Sequence, residues 1–523
     1  MIMKTSMRSN CCHRTAAVAV VALLGAICIP VESLSGGVAA ADGKVSRRKP
    51  DAVSGQGQVD RLMHAWRAYW RVKRPSLDAS IERLRKRDYE FVLTNACGRP
   101  MKNVSVEVRQ ISSDFSWGCA ALSLGQLGAK NKDYEARLSE FFNLLTTTFC
   151  PGVMTPEKGR WRFEESKEDD IWRRPPPDRV MDFARRHGMR FKGQPLMCDR
   201  WHPNWAMGQT KAEAEEFYRD WFKRVAERYG KFAYIFDVVN EAFDTKMRTP
   251  KFPLYCGDET LPFVDWAFAE AQKVFPADCK LDINMGVKAT EWKSHGERYY
   301  NLCKRIIDAG IRLDSIGFQF HLFSDRQLRD FIALRKWHPD MLSEFYRKMG
   351  SLKRPVFINE ITIPSTLLPD AAGQDVQAEV AGDLYRFWFA TPEIQGVIWW
   401  NLMDGAAWKN EDRVKGALLD DFAREKPVYR TLRNLIAREW KTVFRASTDE
   451  CGKIRFRGFS GDYAVSFMNS AGNGIESRIF RYDPAPGVVA YRRVDVRGVL
   501  AARDSLPLGQ RGRCPSRVLQ APL

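Results

Sequence analysis

The chain has 523 residues, 45% of them apolar and 28% charged, ordinary globular proportions that exclude disorder or a collagen-like repeat for most of its length. At roughly 100–200 residues per domain, with barrels reaching about 250 or more, one large domain with smaller flanking pieces is expected. The net charge of +18 permits anionic partners. Lys and Arg are nonetheless spread along the chain, with no basic block beside a nucleic-acid motif, so the charge reads as a generally basic surface.

Lys4, Arg8 and Arg14 precede an apolar run from Ala16 to Pro30, and small residues follow as far as Ala39-Ala40-Ala41-Asp42. This order predicts a signal peptide over residues 1–41 and a secreted or periplasmic product. The run is short for a membrane span. Bulky Ile27 before Cys28 argues against a lipoprotein signal. Removing residues 1–41 leaves nine of the twelve cysteines, without a CxxC pair, which disfavours a disulfide framework or a zinc site. The seven histidines include no HExxH, so a metal-dependent hydrolase has little support.

After a polar linker, Val59 to Lys86 shows helical spacing, which Pro75 is expected to interrupt. Tyr89–Thr94 and Val104–Arg109 read as two strands around the turn Asn95-Ala96-Cys97-Gly98. From Phe115 onward short apolar runs alternate with amphipathic stretches. The expected strands are Phe115–Leu122, Leu144–Phe149, Arg190–Met197, Tyr234–Asn240, Lys280–Asn284, Ser315–His321, Val356–Ile361 and Gly396–Leu402. Helices are expected between most of them, including Lys211–Tyr229, Leu261–Val274, Glu297–Ala309 and Gln377–Phe389. Such alternation predicts a closed (β/α)8 TIM barrel, an α/β fold, rather than an open doubly wound sheet. No GxGxxG follows a strand and no P-loop occurs, which removes the usual nucleotide-binding readings.

A helix over Tyr429–Trp440 should close the barrel. Lys453–Phe456 and Tyr463–Phe467, joined by Gly458 to Asp462, look like a terminal hairpin. Residues 42–114 and 441–482 thus read as small β-rich appendages to a barrel over 115–440. The Pro-, Gly- and Arg-rich stretch 483–523 reads as a poorly ordered tail. The two appendages are expected to pair into one small sandwich that gives structural support. Carbohydrate binding through Phe459 or Tyr463 is the alternative.

Two carboxylates stand out. Phe236-Asp237-Val238-Val239-Asn240-Glu241 and Val356-Phe357-Ile358-Asn359-Glu360 each end a buried strand with Asn-Glu. Strands four and seven of such a barrel finish at one mouth, where active sites lie. Retaining glycoside hydrolysis needs two carboxyls about 5–5.5 Å apart, one as nucleophile and one as acid/base. A single strand-ending Glu is better explained as a strand cap or as the partner of a nearby Arg or Lys. Two at matching ends, each preceded by Asn, favour catalysis.

At these residues the sequence resembles glycoside hydrolase family 10, the endo-β-1,4-xylanases, as a divergent member. The resemblance runs from about Phe115 to Trp440. It rests on Asp237-Val238-Val239-Asn240-Glu241, Ile316-Gly317-Phe318-Gln319-Phe320-His321 and Ile358-Asn359-Glu360-Ile361. Trp400-Asn401-Leu402-Met403-Asp404-Gly405-Ala406-Ala407-Trp408, Leu418-Leu419-Asp420 and Lys426-Pro427-Val428-Tyr429 follow in order. The resemblance implies Glu241 as acid/base, Glu360 as nucleophile and Asn240 as a partner of the sugar 2-hydroxyl. It further implies that His321 orients Glu360, that Gln319 sits beside it, and that Trp400 and Trp408 form apolar walls against a sugar ring. Core packing is the competing reading for the tryptophans, above all for Trp399.

The departures fall on one half of the site. Where the family carries Glu-Asn-x-Met-Lys-Trp after strand two, this chain has Thr146-Thr147-Thr148-Phe149-Cys150-Pro151. Gly-His-Thr-Leu-Val-Trp-His after strand three becomes Gly193-Gln194-Pro195-Leu196-Met197-Cys198-Asp199, in which Gln194 still offers a hydrogen bond to a hydroxyl. Of the strand-five segment, Asn284-Met285-Gly286 keeps only the Asn. The catalytic half reads as intact, and the half that grips the next sugar as remodelled. The expected protein is a monomeric retaining hydrolase of xylan or another β-glycan, with no cofactor or metal, no nucleic-acid partner and no membrane contact once the signal is removed. A non-catalytic carbohydrate-binding protein on a remodelled barrel is the alternative.

Overall fold

The computed structural model describes residues 55–95, 97–164, 171–243, 252–255, 260–286, 295–335, 338–468, 474–480 and 493–494. The expected signal peptide, and the expected tail apart from Arg493–Val494, lie outside them. No helix among the described residues is long and apolar enough to cross a membrane.

Two helices open the described chain, α1 (Gly55–Leu62) and α2 (His64–Arg85). Contrary to expectation, α2 runs through Pro75 without a break. Pro75 is on the exposed side, so the carbonyl that loses its donor faces water. The opposite side buries Trp66, Trp70, Ile81 and Arg85. Trp66 Nε1 donates to Asp383 Oδ2 at 2.9 Å, and Arg67 holds Glu379 through two hydrogen bonds of 2.7 and 2.6 Å. Packing against the barrel helix Asp370–Ala390 therefore outweighs the local break.

The next strands are β1 (Lys86–Leu93) and β2 (Ser105–Gln110). Eight parallel strands follow: β3 (Ser116–Ala120), β4 (Leu144–Thr148), β5 (Arg190–Gln194), β6 (Ala233–Asn240), β7 (Lys280–Met285), β8 (Ser315–His321), β9 (Val356–Thr362) and β10 (Ile394–Trp399). They close into a barrel in sequence order, with β10 returning to β3. All eight expected strands are present. Burial on both faces is what makes them read as apolar runs. Helix Lys211–Tyr229 has the expected bounds because Thr210 and Glu213 form a reciprocal capping box at its start. The expected helix Gln377–Phe389 extends to Asp370–Ala390. The expected closing helix is instead Pro427–Asn434, continued by a wider turn over Leu435–Glu439.

The flanking strands pair across the barrel's two ends of sequence. They are β11 (Val443–Ser447), β12 (Lys453–Phe459), β13 (Tyr463–Met468), β14 (Ile475–Phe480) and β15 (Arg493–Val494). One sheet has the order β12-β1-β15 and the other β11-β2-β13-β14. Tyr89, Phe91, Val106, Val108, Phe456, Tyr463 and Val465 make a core between them. Two local pairings are corrected here. β1 and β2 are not partners, and β12 and β13 do not form a hairpin, since each turn carries the chain from one sheet to the other. Phe459 and Tyr463 are buried, with Tyr463 Oη donating to the Phe459 carbonyl at 2.5 Å, so neither offers a face to sugar.

The sandwich meets the bottom of the barrel, away from the strand C-termini. Arg85, 8% exposed, donates to the carbonyls of Phe389, Thr391 and Ile394, each at 2.7 Å, and lies over the rings of Phe115 and Phe389. Those carbonyls end a helix and begin β10, so one side chain ties α2 to the base of the barrel.

Candidate active site

Parallel closure brings all eight strand C-termini to one mouth. β6 ends at Asn240, and Glu241 follows with φ at 55°, the left-handed region that a side chain adopts at a cost of about 1–3 kcal/mol. Two backbone bonds hold it there. Glu241 N–H donates to the Asn284 carbonyl and Asn240 N–H to that of Met197, each at 3.0 Å. Along β8 and β9 a register shift after Phe318 sets Gln319 opposite Glu360. Such irregularities re-aim side chains at barrel rims.

The side chains then form a connected network. Glu360, 5% exposed, accepts from Asn284 Nδ2 at 2.7 Å and Gln194 Nε2 at 3.4 Å on one oxygen, and lies 3.1 Å from His321 Nε2 on the other. His321 Nδ1 is 2.9 Å from the Thr362 hydroxyl. With Nε2–H pointing at the carboxylate, Nδ1 accepts from that hydroxyl and fixes the ring. Gln319 Nε2 donates to Glu241 Oε1 at 3.0 Å and to Asn240 Oδ1 at 3.1 Å. Asn284 Nδ2 also donates to Asn240 Oδ1, at 3.0 Å. Three carboxamides thus join the two glutamates.

A charged layer lies beneath. Lys192, Asp237 and Asp282 are each fully buried. Lys192 Nζ bonds Asp237 Oδ1 and stands 3.6 Å from Asp282 Oδ2. Asp282 also accepts from Ser315 Oγ at 2.6 Å and Asn359 Nδ2 at 2.8 Å. Asn359 Nδ2 reaches Asn284 Oδ1 at 3.3 Å, which links this layer to Glu360. Burial pushes the Asp237 carboxyl well above the usual aspartate range, and Lys192 opposes that shift. Gly317 makes room: a Cβ there would lie 2.0 Å from Asn359 Nδ2 and 2.7 Å from Asp282 Oδ2.

Seven of the eight residues expected from sequence converge here: Glu241, Glu360, Asn240, Gln194, Gln319, His321 and Trp400, whose ring centre is 6.1 Å from that of His321. The Oε1 of Gln194 has no hydrogen bond among the described residues, so an acceptor faces the site. Trp399 is core, fully buried and donating to the Gly416 carbonyl at 3.1 Å. Trp408, 41% exposed, sits farther out, edge-on to Trp172 at 5.5 Å. Asn284 is the residue that sequence reading underrated. Its signal was a polar residue inside a strand buried on both faces. Lys192 and Asp282 were missed although each is an ionisable residue inside a strand buried on both faces.

Several comparisons bear on this arrangement. The model of "Glycosyl hydrolase family 10" matches residues 110–435. A "Beta-1,4-xylanase" of Dictyoglomus thermophilum is 29% identical over 239 residues, covering 44% of this chain and 59% of that protein. "Endo-1,4-beta-xylanase A" of Caldicellulosiruptor saccharolyticus is 25% identical over 284 residues, 50% of this chain and 75% of that one. "Anti-sigma-I factor RsgI6" of Acetivibrio thermocellus is 21% identical over 394 residues, 74% of this chain but only 45% of the relative. Among solved structures, native xylanase 10B from Thermotoga maritima superposes with a TM-score of 0.51 at 22% identity, covering 62% of this chain and 96% of that one. This last likeness is one of fold. With the family model spanning well over half of the chain, from the end of β2 through the last barrel helix, the protein belongs to glycosyl hydrolase family 10.

Proposed function

We propose that the protein is a secreted retaining glycoside hydrolase that cleaves β-1,4-linked plant polysaccharide, with xylan or a decorated xylan as substrate. The observation that carries this reading is the network in which Asn284, Asn240 and Gln319 connect Glu360 to Glu241. A carboxylate that receives hydrogen bonds on both oxygens is oriented as a nucleophile requires. The names of the curated relatives support xylan as the polymer, and the residue pattern over 1–41 supports export.

In the first step Glu360 attacks the anomeric carbon, and Glu241 gives its proton to the departing glycosidic oxygen, which leaves a glycosyl ester on Glu360. Glu241, now a carboxylate, takes a proton from water as that water attacks the same carbon. The ester breaks and the sugar leaves with its original configuration. Asn240, held from both sides by Gln319 and Asn284, is the group for the 2-hydroxyl. The non-catalytic alternative is disfavoured because both glutamates are present together with the Asn240, Gln319 and His321 that bond them or their partners.

The test is reducing-sugar release by the purified protein on xylan, arabinoxylan, mixed-linkage glucan and mannan, alongside Glu360→Ala. Release from xylan that disappears in the variant supports the proposal. Binding to a polymer without release from any would replace it with the binding-protein reading.

A further inference from the structure

At the mouth of the barrel stands a buried cation with no anionic partner among the described residues. Arg174, 5% exposed, lies in the loop that follows β4. Its guanidinium carbon is 5.1 Å from the ring centre of Trp201, in the loop after β5, and 5.4 Å from that of Trp408, in the loop after β10. Among the described residues its one side-chain hydrogen bond goes to the Arg173 carbonyl at 2.7 Å, and its Nε has no partner. Among the described residues it forms no ion pair. The neighbouring Arg173 contrasts with it, being held by Asn401 Oδ1 at 2.6 Å and Glu411 Oε2 at 3.2 Å. The backbone at Arg174 is held on both sides: its carbonyl accepts from Arg162 Nη2 at 2.6 Å, and its N–H donates to the Ile171 carbonyl at 2.9 Å.

Two aromatic rings and one carbonyl offset part of the cost of burying this cation, and a ligand carboxylate would supply a counter-charge. Its position says which ligand. Arg174, Trp201 and Trp408 come from the loops that follow β4, β5 and β10, at the end of the barrel where Glu241 and Glu360 stand. β4 and β5 are also the strands at whose ends this chain departs from the family's pattern. A guanidinium presents a planar fork that matches a carboxylate. Trp408, 41% exposed, leaves part of its apolar ring open to a pyranose.

We infer that Arg174, flanked by Trp201 and Trp408, anchors the carboxylate of a uronic acid carried by the glycan, in the half of the mouth where this chain departs from the family's pattern. This rests on the reading of the mouth as a glycan-cleaving site and specifies its substrate class as an acidic β-glycan.

The test uses the full chain carrying Glu360→Gln, so that binding is measured without turnover. Calorimetric titration compares a xylo-oligosaccharide bearing one glucuronic acid branch with the same oligosaccharide whose carboxyl has been reduced to an alcohol. The acidic form is expected to bind at least tenfold tighter, a ratio that added salt narrows and that Arg174→Gln brings to within twofold. Equal binding of the two forms, binding of neither, or a ratio unchanged by Arg174→Gln overturns the inference. If Arg174→Gln does not fold, Arg174→Lys keeps the charge without the fork. That variant is expected to cut the ratio at least threefold, and an unchanged ratio again overturns the inference. Unmutated protein on neutral xylan separates the two readings. Cleavage without any acid preference refutes the anchor alone, whereas an Arg174-dependent preference without cleavage of either glycan refutes the hydrolase alone.

Discussion

Replacing Lys192 by Met tests the layer on which the network rests. Lys192, Asp237 and Asp282 are fully buried, so the substitution leaves two carboxyls without a cation and with no access to water. At the 3.6 Å that separates Lys192 Nζ from Asp282 Oδ2, and an effective dielectric constant of about 20, the lost attraction is about 4–5 kcal/mol. That agrees with the roughly 3–5 kcal/mol typical of removing one member of a buried pair. Met restores most of the volume, so a cavity contributes little. We expect Lys192→Met to lose about 3–5 kcal/mol in urea denaturation followed by circular dichroism. Lys192→Met with Asp282→Asn should regain a substantial part, because the second change removes the stranded charge. A single variant within about 1 kcal/mol of the parent protein would refute this reasoning, as would a double variant no more stable than the single one.

Two further outcomes follow from the same contacts. Asn284→Ala removes the 2.7 Å donor to Glu360 and the 3.0 Å donor to Asn240. At about 1.5–3 kcal/mol for a hydrogen bond to a charged group, kcat/KM on xylan should fall roughly ten- to a hundredfold with the far-ultraviolet spectrum unchanged. A loss below twofold would contradict the role given to Asn284. The raised Asp237 carboxyl makes a pH prediction. Above the ordinary aspartate value of about 4, the folded state retains a proton that the unfolded state releases, so this group's contribution is complete below that pH and declines as pH rises toward the folded value. Asp237→Asn should flatten that decline in urea midpoints measured from pH 4 upward, and an equal slope in both proteins would count against it.

The barrel was readable because strands buried on both faces leave apolar runs, and because strand C-termini are the only places where such runs end in Asn-Glu. Glu241 and Glu360 were found for that reason. The partners of β1, β2, β12 and β13 were not readable: alternation sets which face of a strand is buried but not which sheet it joins, and a short turn serves a sheet crossing as well as a hairpin. Pro75 misled because the break rule is local, while the stripe of Trp66, Trp70 and Ile81 that holds α2 acts through tertiary packing. The resemblance implied Trp408 as a wall, but nothing in the sequence showed its environment. Arg173 and Arg174 lie in a loop without periodicity, where nothing in sequence marks a buried guanidinium.

The central claim, double displacement at a β-linkage by Glu360 and Glu241, is tested most directly by proton NMR of xylo-oligosaccharide cleavage followed from the first minutes. The account predicts β-anomeric reducing ends first, with α-anomers growing only as mutarotation proceeds, and no product from Glu360→Ala. Initial release of α-anomers, or undiminished cleavage by Glu360→Ala, would contradict it.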